Sequence, residues 1–490
     1  MSLQGRIRRG LAALASACLL ASCGSGSTGT RTAPTSVAPG AVAIWSSSID
    51  QSRKLAPQPG LALVPAGPAQ PDEVVIDPAV RAQEITGFGA AMTDASAHLF
   101  QNVQTRPERD ALFAELFGAD GLGLTFVRVP IGASDFSSEH YSLDDMPAGQ
   151  TDPALAHFSM AKAEAAQLPA LRAARAVNPD LTLMASPWSA PGWMKTTDSL
   201  IKGSLKPEHY GAFAAYFVRY LDAMEAGGLP VRYVSMQNEP AFEPADYPGM
   251  RVSAAERASF YSRHLGPALA ARPQRVGILD WDHNWDHPEE PLAVLADGAA
   301  APFVEGVAWH CYAGESSAMA RVKAAHPGKD LFFTECSGGD WAPHWGDTLE
   351  WMTDNLVIAT VRAGGKGAIL WNLALDERAG PHRGGCGNCR GVVTIDTRTR
   401  AVTRNVEYYV LGQVSRFVRP GARAIGASGG PAGLNFVAFR NRDGRLVLLA
   451  HNATRSDLPI SVKVGTSRFS ATMPGGEVMT FVWPESAGTP

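Results

Sequence analysis

From about residue 85 onward the chain alternates between two kinds of hydrophobic spacing. Short apolar runs rich in Val, Ile, Leu and Phe occupy residues 85–89, 125–131, 181–186, 231–236, 275–279, 304–309, 330–334 and 367–371. Runs of this length without strict alternation suit strands buried on both faces. Helix-like segments lie between them, for example 210–226 and 348–363. In the first, Phe213, Phe217, Tyr220, Leu221 and Met224 recur at helical spacing and predict one buried stripe. Eight strand–helix units in succession predict an α/β fold, a closed parallel (β/α)8 TIM barrel over residues 81–418. An open doubly wound sheet would instead require a glycine-rich phosphate loop after an early strand. Gly121-Leu122-Gly123 runs on into Leu124 and Thr125, which breaks that pattern.

Beyond about Pro420 the spacing changes to the alternation of half-buried strands. Runs at 434–439, 445–451, 460–464, 468–473 and 478–483 are separated by Gly, Asp, Asn or Ser turns. They predict a small antiparallel β-sandwich over residues 419–490. The runs 41–44 and 73–76, within an N-terminal segment 41–80, are expected to add strands to it.

The first residues read as targeting information. Arg6, Arg8 and Arg9 precede an apolar stretch from Leu11 to Leu20, and Leu20-Ala21-Ser22-Cys23 resembles a bacterial lipoprotein cleavage box. Residues 1–23 are thus expected to be a signal peptide, with Cys23 the lipidated first residue of the mature chain in the cell envelope. Residues 24–40 are too rich in Gly, Ser, Thr and Pro to pack a core and are expected to be a flexible tether. The membrane would be met through that lipid only, since no apolar run reaches the length of a spanning helix.

Composition narrows the function classes. Hydrophobic residues make up 45% and charged residues 18%, with a formal net charge of −4. No basic stripe is present, so nucleic acid is not an expected partner. Of the six cysteines, Cys18 and Cys23 belong to the leader. In an oxidising compartment Cys386 and Cys389, in a Gly-rich loop, form a possible disulfide. His382 upstream allows a metal reading, but a second close Cys or His pair is absent, and no metal is expected. Cys311 and Cys336 are expected to be buried structural cysteines, with Cys336 facing away from the side chain of Glu335.

In a (β/α)8 barrel, sites form where the C-terminal ends of strands meet their loops. Those ends carry Asp94, Arg128, Asp135, Trp188, Asn238, Glu239, Asp280, His310, Tyr312, Glu335, Trp371 and Asn372. Carboxylates and amides mixed with indoles suit a sugar, whose hydroxyls hydrogen-bond while its C–H faces stack on rings. Seven of the 11 tryptophans (Trp188, Trp193, Trp281, Trp285, Trp341, Trp345 and Trp371) lie at strand ends or in the following loops, and about half are expected to touch substrate. Glu239 and Glu335 end the fourth and seventh candidate strands and can present two carboxyls to one glycosidic bond. The expectation is that Glu239 stays protonated as acid/base while Glu335 ionises as nucleophile, helped by Arg128 and Tyr312.

Gln237-Asn238-Glu239-Pro240 resembles the acid/base strand signature of clan A glycosidases. GFGAAMTDAS (87–96), VRVPIGASDFS (127–137), ASPWSAPGWMKT (185–196), FFTECSGG (332–339) and WNLALDERAGP (371–381) resemble glycoside hydrolase family 30, the glucosylceramidase group. The resemblance implies that Asn238 binds the sugar 2-hydroxyl. It further implies that Asp135, Trp188 and Trp371 hold the ring in the −1 subsite, with Arg128, His310 and Tyr312 around the nucleophile. Leu370 and Cys311 depart from the lysosomal enzymes, which carry an acidic residue and a tryptophan there. The leading expectation is a retaining, glucosylceramidase-like hydrolase of β-glucosidic bonds. The alternative is an endo-β-1,6-glucanase of the same family, for which loops 241–252 and 339–345 could shape an open cleft. A non-catalytic glycan-binding lipoprotein would require loss of one carboxylate. No cofactor is expected, because two carboxyls and water complete the cycle.

Overall fold

A computed structural model describes residues 40–68 and 70–485. The leader, the lipidation box at Cys23 and nearly all of the tether lie outside these described residues. Eight parallel strands surround the core: β1 (Gly87–Ala90), β2 (Phe126–Pro130), β3 (Thr182–Ser186), β4 (Val231–Val234), β5 (Gly277–Asn284), β6 (Val304–His310), β7 (Asp330–Glu335) and β8 (Gly365–Leu370). From β2 to β8 each strand pairs with the next in sequence, and β8 pairs with β1. At the remaining β1–β2 seam no ladder forms, but the Thr125 N–H donates to the Phe88 carbonyl and the Met92 N–H to the Arg128 carbonyl. The barrel is nearly closed.

Strand interiors are apolar because both faces are covered, the outer by helices and the inner by the facing strands. Helix Tyr210–Ala226 buries Phe213, Phe217, Tyr220, Leu221 and Met224, the stripe its spacing predicts. Two helices begin with reciprocal capping boxes, Thr105 with Glu108 and Ser253 with Glu256, which satisfy otherwise orphaned N–H groups. The second predicted helix starts earlier, at Trp345, and passes through a π-type turn at Thr353–Ala359 before ending at Arg362.

The second domain is a ten-stranded sheet folded around its own core of Val74, Ile76, Phe436, Leu448, Val462, Phe469, Phe481 and neighbours. Both ends of the chain build it. Ala41–Ser47 pairs antiparallel with Val478–Pro484, and Val74–Glu84 lies between Arg423–Gly429 and Leu458–Val464. Three strands escaped the sequence pattern: Ala56–Ala62, Val64–Pro65 and Arg423–Gly429. The first two are Pro-rich and mostly exposed, and the third is Gly-rich, so none shows a hydrophobic alternation. The domains are stitched together by helix Val406–Ser415, where Gln413 donates to the Ser47 hydroxyl and accepts from Thr480.

Candidate active site

The upper ends of the strands converge on one buried carboxylate, Asp282. It accepts hydrogen bonds from Arg128 (2.7 Å), Ser186 (2.9 Å), Ser235 (2.6 Å), Thr334 (2.7 Å) and the Nε2 of His310 (3.1 Å). With five donors its carboxyl is held far below the usual carboxylate range, even though burial alone would raise it. Arg128 is fully buried and forks between Asp282, the carboxylate of Glu335 and the Oδ1 of Asn238 (2.7 Å). What Asn238 can offer a ligand is therefore its NH2 group.

Glu239 follows β4 on a residue with φ of 50°, a left-handed conformation that a non-glycine residue keeps only when its surroundings hold it. The Glu239 N–H donates to the Asp282 carbonyl at 3.1 Å, and the Asn238 N–H donates to the Pro187 carbonyl at 2.8 Å. Glu335 ends β7, with the Tyr312 hydroxyl donating to its Oε1 at 2.9 Å. His310 Nδ1 lies 3.1 Å from Glu239 Oε1 and 4.0 Å from Glu335 Oε1. One side-chain atom from each of Glu239, His310 and Glu335 lies within 4.8 Å of the other two. These three could in principle ligate a cation, but the Arg128 guanidinium on Glu335 already supplies the positive charge.

The two carboxyls differ in the net direction of their shifts. Burial pushes both carboxyls up. At Glu239 burial is the largest single effect, but the touching His310 imidazolium and the Arg128 guanidinium act together against it, and the net direction is down. At Glu335 burial, reinforced by the charges of Glu239 and Asp282, outweighs His310 and Arg128, and the net direction is up. Burial alone would lower His310, but the carboxylates of Glu335, Asp282 and Glu239 raise it to about 9. It is an imidazolium at neutral pH.

Trp188 and Trp371 stack on each other, with centroids 5.0 Å apart at 22°, and cover the Arg128 guanidinium. Asp135 is buried beside the pair, and burial together with the charge of Glu335 pushes its carboxyl well up. Asp94 accepts from the Tyr141 hydroxyl at 3.1 Å, and burial raises its carboxyl to about 6. Asn372 accepts from Thr93 at 2.8 Å. Asp280, expected at the rim, instead faces the helix layer and accepts from Arg257 and Tyr261.

The other tryptophans divide between core and surface. Trp193, Trp281 and Trp285 are buried in the main core, and Trp345 packs on Tyr409 and donates to the Ser48 carbonyl. Trp341 is 54% exposed in its loop. Cys386 and Cys389 are joined by a disulfide. Cys311 and Cys336 are not separate thiols; they too are joined.

Several site residues were not legible in the sequence. The predicted fifth strand stops at 279, whereas β5 continues to Asn284 and carries Asp282 and His283. Positive φ at Trp281 and Asp282 breaks the strand's alternation there, so periodicity could not show which carboxylate points inward. His283 is buried and held neutral, its pKa lowered to about 4 chiefly by burial. Tyr247, in the loop after Glu239, has its hydroxyl pushed up by burial and by the charges of Asp135, Glu239 and Glu335. Gly385 is a residue no side chain could replace, because an added Cβ would sit 2.4 Å from the Asp135 Cβ.

Residues 85–418 match the Glycosyl hydrolase family 30 TIM-barrel domain, and residues 421–481 match the family's beta sandwich domain. Among curated proteins, the chain is 33% identical to Endo-1,6-beta-D-glucanase neg1 of Aspergillus fumigatus over 82% of this chain and 86% of that one. It is 28% identical to Lysosomal acid glucosylceramidase of Mus musculus, covering 84% and 83%. Among solved structures it superposes on the endo-beta1,6-glucanase BT3312 with a TM-score of 0.84 and 30% identity, covering 91% of this chain and 99% of that one. With both domains matched and the paired carboxyls at the barrel mouth, the chain belongs to glycoside hydrolase family 30 and is a glycosidase.

Proposed function

We propose that this enzyme is a retaining endo-β-1,6-glucanase in which Glu239 is the acid/base and Glu335 the nucleophile. The observation that carries the mechanism is the separation of the two carboxyls, with oxygen atoms within 4.8 Å of each other across one imidazolium. Retention by direct attack uses carboxyls about 5–5.5 Å apart, whereas inversion needs about 6.5–9.5 Å to seat a water. In this reading Glu335 attacks the anomeric carbon while Glu239 protonates the departing oxygen. Glu239 then deprotonates the water that releases the glycosyl-enzyme. A bound glycosidic oxygen that accepts from Glu239 favours its protonated form, and positive charge growing at the anomeric carbon favours an ionised Glu335. Arg128, Tyr312 and Asn238 hold Glu335 and the sugar, and Asp135, Trp188 and Trp371 wall the −1 subsite.

The β-1,6 linkage is supported by the relatives named for it, which match at 33% and 30% identity against 28% for the glucosylceramidase. Digestion of β-1,6-glucan by the protein beginning at Gly40 is expected to yield an oligosaccharide ladder, with the β-anomer appearing first by NMR. Glucose alone would overturn endo action, and turnover of glucosylceramide in place of glucan would favour the lipid-directed reading. An α-anomer appearing first would overturn retention.

We also propose export and anchoring through Cys23, supported by the charged and apolar leader and its Leu-Ala-Ser-Cys box. Cys23→Ala is expected to move the protein from the membrane fraction to the soluble fraction. Unchanged fractionation would remove the anchor.

A further inference from the structure

Strands β6 and β7 lose register just where they reach the site. Trp309 lies opposite Phe333, but His310 lies opposite Glu335, so Thr334 is an extra residue on β7. The slip lets the Thr334 hydroxyl reach Asp282, and it leaves Glu335 on the last rung. Beyond that rung the two strands have no ladder, and the next residue on each is a cysteine. Cys311 and Cys336 are bonded to each other, so a covalent tie follows at once where the hydrogen bonds stop.

We infer that the Cys311–Cys336 disulfide is a positioning clamp that sets the Tyr312 hydroxyl against the carboxylate of Glu335. Cys311 lies between His310 and Tyr312, the two side chains that face Glu335 from β6 and the residues just after it. Tyr312 is half-exposed and otherwise anchored by its backbone N–H on Asn284, at 3.0 Å. Cys336 is buried, and its carbonyl accepts from the Trp371 N–H at 2.8 Å, which carries the tie on to the wall of the site. One bond therefore registers the ends of β6, β7 and β8. The clamp rests on the reading of Glu335 as nucleophile. It also explains a local coincidence: Cys311 and Cys336 stand side by side immediately after His310 and Glu335, and nowhere else along the β6–β7 pair.

The test measures nucleophilic attack without the acid. Dinitrophenyl 2-deoxy-2-fluoro-β-glucoside carries a leaving group that needs no protonation, and it traps the attacking carboxylate as a stable ester. It is applied to the oxidised protein, to the protein treated with a phosphine, and to the Cys311→Ser/Cys336→Ser variant. Each disulfide takes up two electrons and two protons to give two thiols, while the phosphine becomes its oxide with oxygen from water. Differential alkylation and peptide mass show which bond has opened. Loss of the clamp is expected to slow trapping on the order of 10–100-fold with little change in the half-saturating concentration. It is also expected to move the acid limb of the trapping rate to higher pH, as Glu335 loses the Tyr312 hydrogen bond. A phosphine effect seen in the wild type should vanish in the double variant. Equal rates and an unmoved acid limb with Cys311 and Cys336 shown to be thiols would overturn the clamp. If the variant does not fold, the phosphine-treated native protein decides alone. Trapping of the oxidised protein at another residue, or not at all, would overturn the nucleophile assignment and the clamp with it.

Discussion

Two layers of the barrel interior lie one pleat apart on the same strands and follow opposite rules. The lower layer is Phe126, Met184, Tyr233, Leu279, Ala308, Phe332 and Ile369, all buried against each other, with the rings of Tyr233 and Phe332 4.8 Å apart. Two residues further along come Arg128, Ser186, Ser235, His310, Thr334 and Trp371. Only β5 breaks the step, since the positive φ of Trp281 and Asp282 brings Asp282 inward instead. The lower layer is held by burial, which is non-directional and scales with apolar area. The upper layer is held by a charge network in which each member needs its partners, because an unpaired buried charge is far more costly than a lost contact. Substitutions should therefore fail differently in the two layers.

The sharpest contrast is at Glu335. Glu335→Gln is expected to reduce glucan turnover to below about a thousandth, toward the severe end of the 10²–10⁴-fold typical of losing an acid or base alone, because the attacking group itself is lost. Stability should change by no more than about 1–2 kcal/mol, because the amide is isosteric and Arg128 keeps its ion pair with Asp282. Turnover within tenfold of wild type would sink the catalytic assignment.

Asp282→Asn should damage both properties. It leaves Arg128 and the His310 imidazolium facing a neutral amide in a fully buried site. Breaking such a pair costs about 3–5 kcal/mol, and the denaturant midpoint should fall accordingly. Turnover should fall as well, since Arg128 and His310 are the groups that touch Glu335 and Glu239. One layer down, Phe332→Ala is expected to cost a similar amount, about 3–5 kcal/mol, through transfer and cavity terms while leaving kcat of the folded fraction within about tenfold. If Phe332→Ala abolished kcat without loss of stability, the separation of the layers would be wrong.

The same contrast explains what could be read from the sequence. The lower layer is visible as apolar runs, and all eight barrel strands stand at the predicted positions to within a few residues. The upper layer is visible where alternation persists, so Arg128, His310 and Trp371 could be placed by their strands, while Glu335 was placed by its position at the end of its strand. Glu239 is legible from the Asn-Glu-Pro motif rather than from periodicity. Asp282 was hidden because backbone strain, which no hydrophobic pattern encodes, decides that it and not Asp280 faces inward. The opposite directions of the two carboxyl shifts were hidden as well, because they depend on His310 touching Glu239 rather than Glu335. The Cys311–Cys336 bond required knowing that the two strands are neighbours and that their register slips.

The smallest expected effect concerns the charge of the upper layer itself. His310 has its pKa raised to about 9, above the ordinary histidine value, so the folded protein binds its proton more tightly than the unfolded chain does. The stabilisation this provides is fully present below about pH 6.5 and is lost as pH rises through about 9. Its size is on the order of 3–4 kcal/mol at most, because each tenfold gain in proton affinity on folding is worth about 1.4 kcal/mol. Urea melts between about pH 6.5 and 9.5 are therefore expected to show a wild-type decline that His310→Gln lacks. In Asp282→Asn the decline should begin at lower pH, because one of the carboxylates holding the imidazolium is gone. Phe332→Ala should shift the whole curve down without changing its slope, since a cavity does not titrate. A slope altered equally by Phe332→Ala would mean that the loss at high pH arises from general loosening of the barrel and not from His310.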